Sequence, residues 1–153
     1  MRSDRPSSVS EAPLFIGVGN PFRRDDGVGP WVADELARRG HRALTHGGDG
    51  AGLIELFRGR GAVTLIDATE TGAAPGTILT LDAAAGPVGG TRFRRSTHSF
   101  GLAEAVETAR LLGLLPPRLS ILGIEGADFA PGEGLSPAVS TAAKAAVDRL
   151  DAG

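Results

Sequence analysis

The stretch FIGVGNPFRRDDGVGP, Phe15 to Pro30, holds the decision about the fold. Pro13 to Val18 (PLFIGV) is a short apolar run that suits a strand buried on both faces. After it, Val28, Trp31, Val32 and Leu36 recur at helical spacing. A strand, a polar loop with two arginines and two aspartates, and then a helix form the first half of a βαβ unit. Asp25 or Asp26 stands where a helix N-cap belongs, and Gly40 after Arg38 and Arg39 marks the helix stop.

Further along, the alternation recurs. Arg42 to Thr45 reads as a second strand, Gly47 to Gly52 as a glycine-rich turn and Leu53 to Phe57 as a short helix. Ala62 to Ile66 (AVTLI) is the strongest strand and closes on Asp67. Thr77 to Leu81 (TILTL) follows a loop too short for a crossover helix, so it is expected to run antiparallel to its predecessor. Leu102, Ala105, Val106, Ala109 and Leu112 mark a helix that Gly113 and Pro116-Pro117 end. Leu119 to Ile124 (LSILGI) is the last strand, and Ser136-Pro137 supplies the N-cap and N1 of a closing helix. The expected class is α/β, a single domain with a twisted, mostly parallel sheet of about five strands and helices on both faces.

Composition narrows the function. A chain of 153 residues is long enough to bury a real core. A net charge of −2 and a pI of 5.9 lack the basic excess of a dedicated nucleic-acid binder. No run reaches the roughly 18 apolar residues of a membrane span. Met1 to Ala12 are polar, without the apolar centre of a signal peptide. They are expected to be a disordered tail ahead of a domain over 13–153, in a soluble cytoplasmic protein. The absence of cysteine excludes a thiol protease and any thiolate metal site supplied by this chain.

The loop after the first strand faintly suggests a dinucleotide fingerprint through Gly17, Gly19 and Asn20. Phe22 stands where a third glycine is needed, and His46 occupies the region where an acidic residue would hold a ribose. Adjacent aspartates would also repel a pyrophosphate. A metal reading fares better. In open α/β sheets ligands gather outside the carboxyl ends of strands. If the first and third strands are neighbours, Asp26 and Asp67 share one crevice, and His98 at the start of a helix can join them. A helix N-terminus disfavours imidazolium and keeps a histidine neutral. Two carboxylates and one imidazole suit a borderline divalent ion such as zinc or nickel, with positions left open for water or substrate. Each residue also has an ordinary use, as a helix cap, a strand-end cap or a structural histidine, and spacing alone leaves both open. Arg92, Arg94 and Arg95, with Phe93 among them, form either a solvated loop or a grip for carboxylate groups of a partner.

Taken together, GVGNPFRRDDGVG, LIDATETGAAPGT, STHSFGLAEA and ILGIEGADFAPGEGLSPAV resemble the hydrogenase maturation proteases, in the family's order and from about Leu14 to Leu150. The resemblance implies a phosphorylase/hydrolase-like α/β fold. It also implies an endopeptidase that removes a C-terminal extension from the large-subunit precursor of a [NiFe] hydrogenase. Nickel would be contacted in the substrate rather than permanently bound, and the precursor would supply the thiolates this chain lacks. The family's nickel-contacting residues fall on Asp26, Asp67 and His98. Many relatives carry Glu at the first of these positions, so Asp26 is shorter by one methylene. Relatives often place an Asp directly before paired glycines. Here His46 stands there and Asp49 follows the glycines, so the resemblance puts the family's loop Asp at Asp49 with a shifted spacing. Asp49 or Asp67 is the implied base, beside Asp26 as a catalytic carboxylate. The residues leave room for a docking protein that checks nickel without cleaving, or for a metal-dependent hydrolase of small molecules.

The metal reading predicts that Asp26, Asp67 and His98 converge within about 8 Å of one another, since donors on one tetrahedral ion lie roughly 3–4 Å apart. Replacing Arg92, Arg94 and Arg95 by Ala is expected to weaken precursor binding, and added salt to weaken the wild-type interaction. Affinity measured across ionic strength checks both; an unchanged affinity at low salt returns these arginines to a solvated loop.

Overall fold

A computed structural model describes residues 12–88 and 101–153. Its strands are β1 (Leu14–Val18), β2 (Ala43–His46), β3 (Ala62–Thr69), β4 (Ile78–Asp82) and β5 (Arg118–Glu125). Its helices are α1 (Val28–Arg38), α2 (Gly50–Phe57), α3 (Leu102–Leu112) and α4 (Pro137–Ala152), with a 3₁₀ turn at Arg24–Gly27 before α1. The single sheet has the order β2-β1-β3-β5-β4. All neighbours are parallel except β4, which is antiparallel to β5. The expected α/β class and single mostly parallel sheet are therefore observed.

Strand composition explains the layering. Every residue of β1 and β3 is buried, as strands covered on both faces require. Leu14, Ile16, Val63, Leu65, Leu119 and Ile121 pack on one face beneath α2 and α3. Phe15, Ile66, Leu122 and Ile124 pack on the other beneath α1 and α4. Alternation along each strand feeds both cores at once. The outer ends of α1 and α4 are tied by His41 Nε2 to Asp151 Oδ1 at 2.7 Å and by Arg39 to Asp148 and Asp151.

Several boundaries differ from the sequence reading. β2 lies one residue further on, because Val18 takes His46 as its register partner. β3 does not close on Asp67 but continues to Thr69, since β5 extends equally far and pairs Asp67 with Gly123 and Thr69 with Glu125. The β1–β3 register ends at Gly17–Ile66, so Asp67 stands just past the point where β1 gives out. β4 runs against β3 in direction, as expected, but its hydrogen bonds go to β5. α2 begins three residues before Leu53, because Asp49 caps it and accepts from Gly52 N at 3.3 Å. Neither Asp25 nor Asp26 caps α1; its N-cap is Gly27, without a side-chain bond.

The start of α1 is driven hard against the sheet. A Cβ at Gly29 would lie 2.4 Å from Ile66 O and 2.5 Å from Val18 O. A Cβ at Gly19 would lie 1.9 Å from Asp26 O. These contacts set the turn bearing Asp26 over the carboxyl ends of β1 and β3. Gly29→Ala is expected to cost about 3 kcal/mol, the upper range for overpacking, although alanine is by propensity the better helix former. Urea unfolding near pH 7 measures it; an unchanged midpoint would mean that α1 can lift off the sheet freely.

Candidate functional site

The strand order reverses between β1 and β3: the crossover from β1 leads to β2 on one side, and the crossover from β2 returns past β1 to β3 on the other. Ligands bind at such points, outside the strands' carboxyl ends. A cleft of about 910 Å³ opens beside this one, past the ends of β1 and β2, with Asn20, Phe22, Asp26, Trp31, Thr45 and His46 in its wall. Arg23 and Arg24 add positive charge to the same lining.

The loop that carries Asp26 is built from its neighbours. Asn20 Oδ1 accepts from Phe22 N at 2.9 Å and closes a tight turn. Asn20 N donates to Asp26 Oδ2 at 2.9 Å, so one carboxylate oxygen is oriented by backbone. Asp26 is half-buried and faces the cleft. Asp25 does the opposite work. It is fully buried, and its carboxylate accepts from Ala127 N, Asp128 N, Ser136 N and Ser136 Oγ at 2.8–2.9 Å. Ser136 thus spends its hydroxyl on Asp25 rather than on capping α4, where Pro137 at N1 sets the helix start. Backbone bonds reinforce the junction: Arg24 N donates to Gly132 O and Gly132 N to Phe22 O, both at 2.9 Å.

Glu125, at the end of β5, organises the neighbouring loop. It is buried and accepts from Thr69 Oγ1, Thr71 N, Thr71 Oγ1 and Gly72 N. Burial pushes both carboxyls up, but the donors around them outweigh it. Asp25 falls below its ordinary value through Ser136, Ala127 and Asp128, and Glu125 through Thr69, Thr71 and Gly72.

Asp67 is buried, with Oδ1 accepting from Ala68 N at 2.8 Å. The 3₁₀ turn bearing Asp26 packs against β3, in which Asp67 stands two residues before the strand's end, and Asp67 is not among the residues that line the cleft. By alternation Asp67 shares the sheet face of Leu65, which α3 covers. His98, Arg92, Phe93, Arg94 and Arg95 lie outside the described residues. Among the described residues no cluster of three His, Cys, Asp or Glu side chains converges on one point. Asp49 is exposed at the α2 N-cap.

Sequence reasoning noted His46 as a missing ribose-binding acid and as a departure in the glycine loop, and the structure sets it in the cleft wall. Its Nδ1 accepts from Gly48 N at 3.0 Å, which puts the neutral ring's proton on Nε2. The available signal was its position, at the carboxyl end of the strand beside β1. The roles of Ser136 and Glu125 had no local signal, because their partners are remote in sequence.

Residues 32–151 match the profile of the hydrogenase maturation protease family. The hydrogenase expression/formation protein HupD of Rhodobacter capsulatus is 28% identical over 141 residues, covering 88% of this chain and 67% of its own length. The hydrogenase 2 maturation protease of Escherichia coli (strain K12) is 27% identical over 143 residues, covering 90% of this chain and 87% of its own. The solved structure of the hydrogenase maturating endopeptidase HybD from E. coli matches with a TM-score of 0.77 at 26% identity, over 91% of this chain and 89% of that one.

Asp25→Asn would turn an amide NH₂ toward groups that are themselves donors. The expected cost is about 2–3 kcal/mol near pH 7, the range for a hydrogen-bonded charged group. Because the folded-state pKa lies below the unfolded value of 3.8, the carboxylate's contribution is present above that value and lost as pH falls through the folded one. Urea midpoints taken from about pH 7 down to about pH 2 should therefore show the gap between wild type and variant closing on the acid side. A gap independent of pH would refute the buried charge.

Proposed function

This chain belongs to the hydrogenase maturation protease family, and we propose that it removes the C-terminal extension of a [NiFe] hydrogenase large-subunit precursor after nickel has been inserted. Its enzymatic class is that of the family, a peptidase. The observation that carries the rest is the placement of Asp26: a cleft-facing carboxylate at the switch point of the sheet, on a loop held by the buried Asp25. A carboxylate so held can meet a metal presented by a substrate without first reorganising.

In this reading Asp26, Asp67 and His98 contact the precursor's nickel, and the precursor's cysteines complete its coordination. Carboxylate and imidazole are suitable donors for that ion. Nickel in the substrate polarises the scissile carbonyl, and Asp67 is the base for the attacking water. Asp49 contributes by capping α2, which fixes the glycine loop that presents His46. No helix among the described residues is long and apolar enough to cross a membrane, and we place the reaction in the cytoplasm.

The test is incubation of the purified protein with nickel-loaded and nickel-free precursor, followed by loss of the extension on a gel or by mass. Loss from the loaded form alone supports the proposal. A stable complex without loss would make this a checking protein, and inertness toward both would favour small-molecule hydrolysis. Asp26→Asn keeps an oxygen for the Asn20 N–H but removes the charge, so processing should fall about a hundredfold or more while the urea midpoint holds. Normal processing by Asp26→Asn would remove Asp26 from the site.

A further inference from the structure

The two edges of the sheet are treated differently. At the β4 edge, Asp82 closes the strand and bonds Ala84 N and Ala85 N, and Arg149 reaches across to Thr80. Charges of this kind blunt an edge against further pairing. At the other edge β2 reads Ala43-Leu44-Thr45-His46, with no Lys, Arg, Asp, Glu or Pro. Leu44 is 42% exposed there.

The register shows what that edge offers. Phe15 N donates to Arg42 O at 2.9 Å and Gly19 N to His46 O at 3.0 Å, so these alternate carbonyls face β1. Alternation turns the N–H and C=O of Ala43 and Thr45 outward. Among the described residues neither finds a backbone partner on that side. The edge also runs into the cleft, where Thr45, His46 and Gly47 share the wall with Asp26. Phe22, 64% exposed, and the half-buried Trp31 give the same cleft an apolar surface.

We propose that the open edge of β2 receives an extended segment of the precursor's C-terminal region as an added strand, which carries the scissile bond toward Asp26. The inference rests on the endopeptidase reading above and deepens it by naming how the polypeptide is held. An extended peptide is the occupant because the unpaired groups are a strand's backbone groups, and an endopeptidase must hold its substrate as polypeptide beside the reacting carboxylates. Main-chain bonds supply affinity that depends little on sequence, while alternate side chains meet the Phe22 and Trp31 surface.

Two measurements on cleavage of nickel-loaded precursor test this. In the first, Thr45→Pro deletes an outward N–H and leaves every bond to β1 in place. KM should rise about tenfold for the lost hydrogen bond, with kcat little changed. In the second, the precursor receives a synthetic tail bearing one backbone N-methyl group, moved residue by residue, and the enzyme is left native. KM should then rise at every second position, the period of a strand. A flat N-methyl series with normal wild-type cleavage overturns the added strand and leaves the endopeptidase standing. A periodic series with folded Thr45→Pro unaffected puts the strand elsewhere and overturns its assignment to β2. If Thr45→Pro unfolds, Ala43→Pro, which deletes the other outward N–H of β2, takes its place in the same comparison. If wild type cleaves no loaded precursor, the endopeptidase reading falls and takes this inference with it.

Discussion

A carboxylate taken entirely out of water must collect enough donors to replace its hydration, and Asp25 does so from a single distant segment. Ala127, Asp128 and Ser136 lie 102–111 residues away in the chain, yet together they supply its backbone and hydroxyl donors. These bonds tie the β1–α1 loop to the β5–α4 loop in one register. The bridge between Arg23 and Gly132 records the same lock in the backbone. An unpaired buried carboxylate is costly enough that the carboxyl end of the sheet has little freedom to rearrange.

The consequence for Asp26 is indirect but large. It is bound on one side to a residue that cannot move and on the other to Gly27 and α1, whose Gly29 lies against Ile66 and Val18. Two adjacent aspartates therefore divide their work, one inward as a structural anion and one outward into the cleft. Glu125 repeats the device next door, drawing the Thr69–Gly72 segment onto the end of β5. Buried anions, together with apolar contacts such as those of Phe129 and Leu135, hold the loops at this end of the sheet. For a peptidase, loops held in this way favour a substrate that already fits over one to which the enzyme must adapt.

Periodicity and punctuation in the chain were enough to establish the class of the fold. Val28, Trp31, Val32 and Leu36 at helical spacing, the AVTLI run and the Ser136-Pro137 start all reflect local rules, and each produced the element expected. The region of the site was legible for the same reason, since a polar loop between strand and helix lies by construction at a strand's carboxyl end. Motif resemblance then supplied a family that single residues could not.

Tertiary structure decided the rest. Asp25 and Asp26 are chemically identical neighbours, and nothing in their spacing says which one is buried; Ser136 and Ala127 say it, from more than a hundred residues away. Whether β3 ended at Asp67 or at Thr69 depended on how far β5 extended beside it. The placement of His46 in the cleft followed from β2 pairing with β1. Local sequence determines which elements form, because capping, propensity and hydrophobic period act over a few residues. Which side chain becomes an anchor and which remains available for chemistry is set by long-range hydrogen bonds, whose partners meet only when the chain has folded.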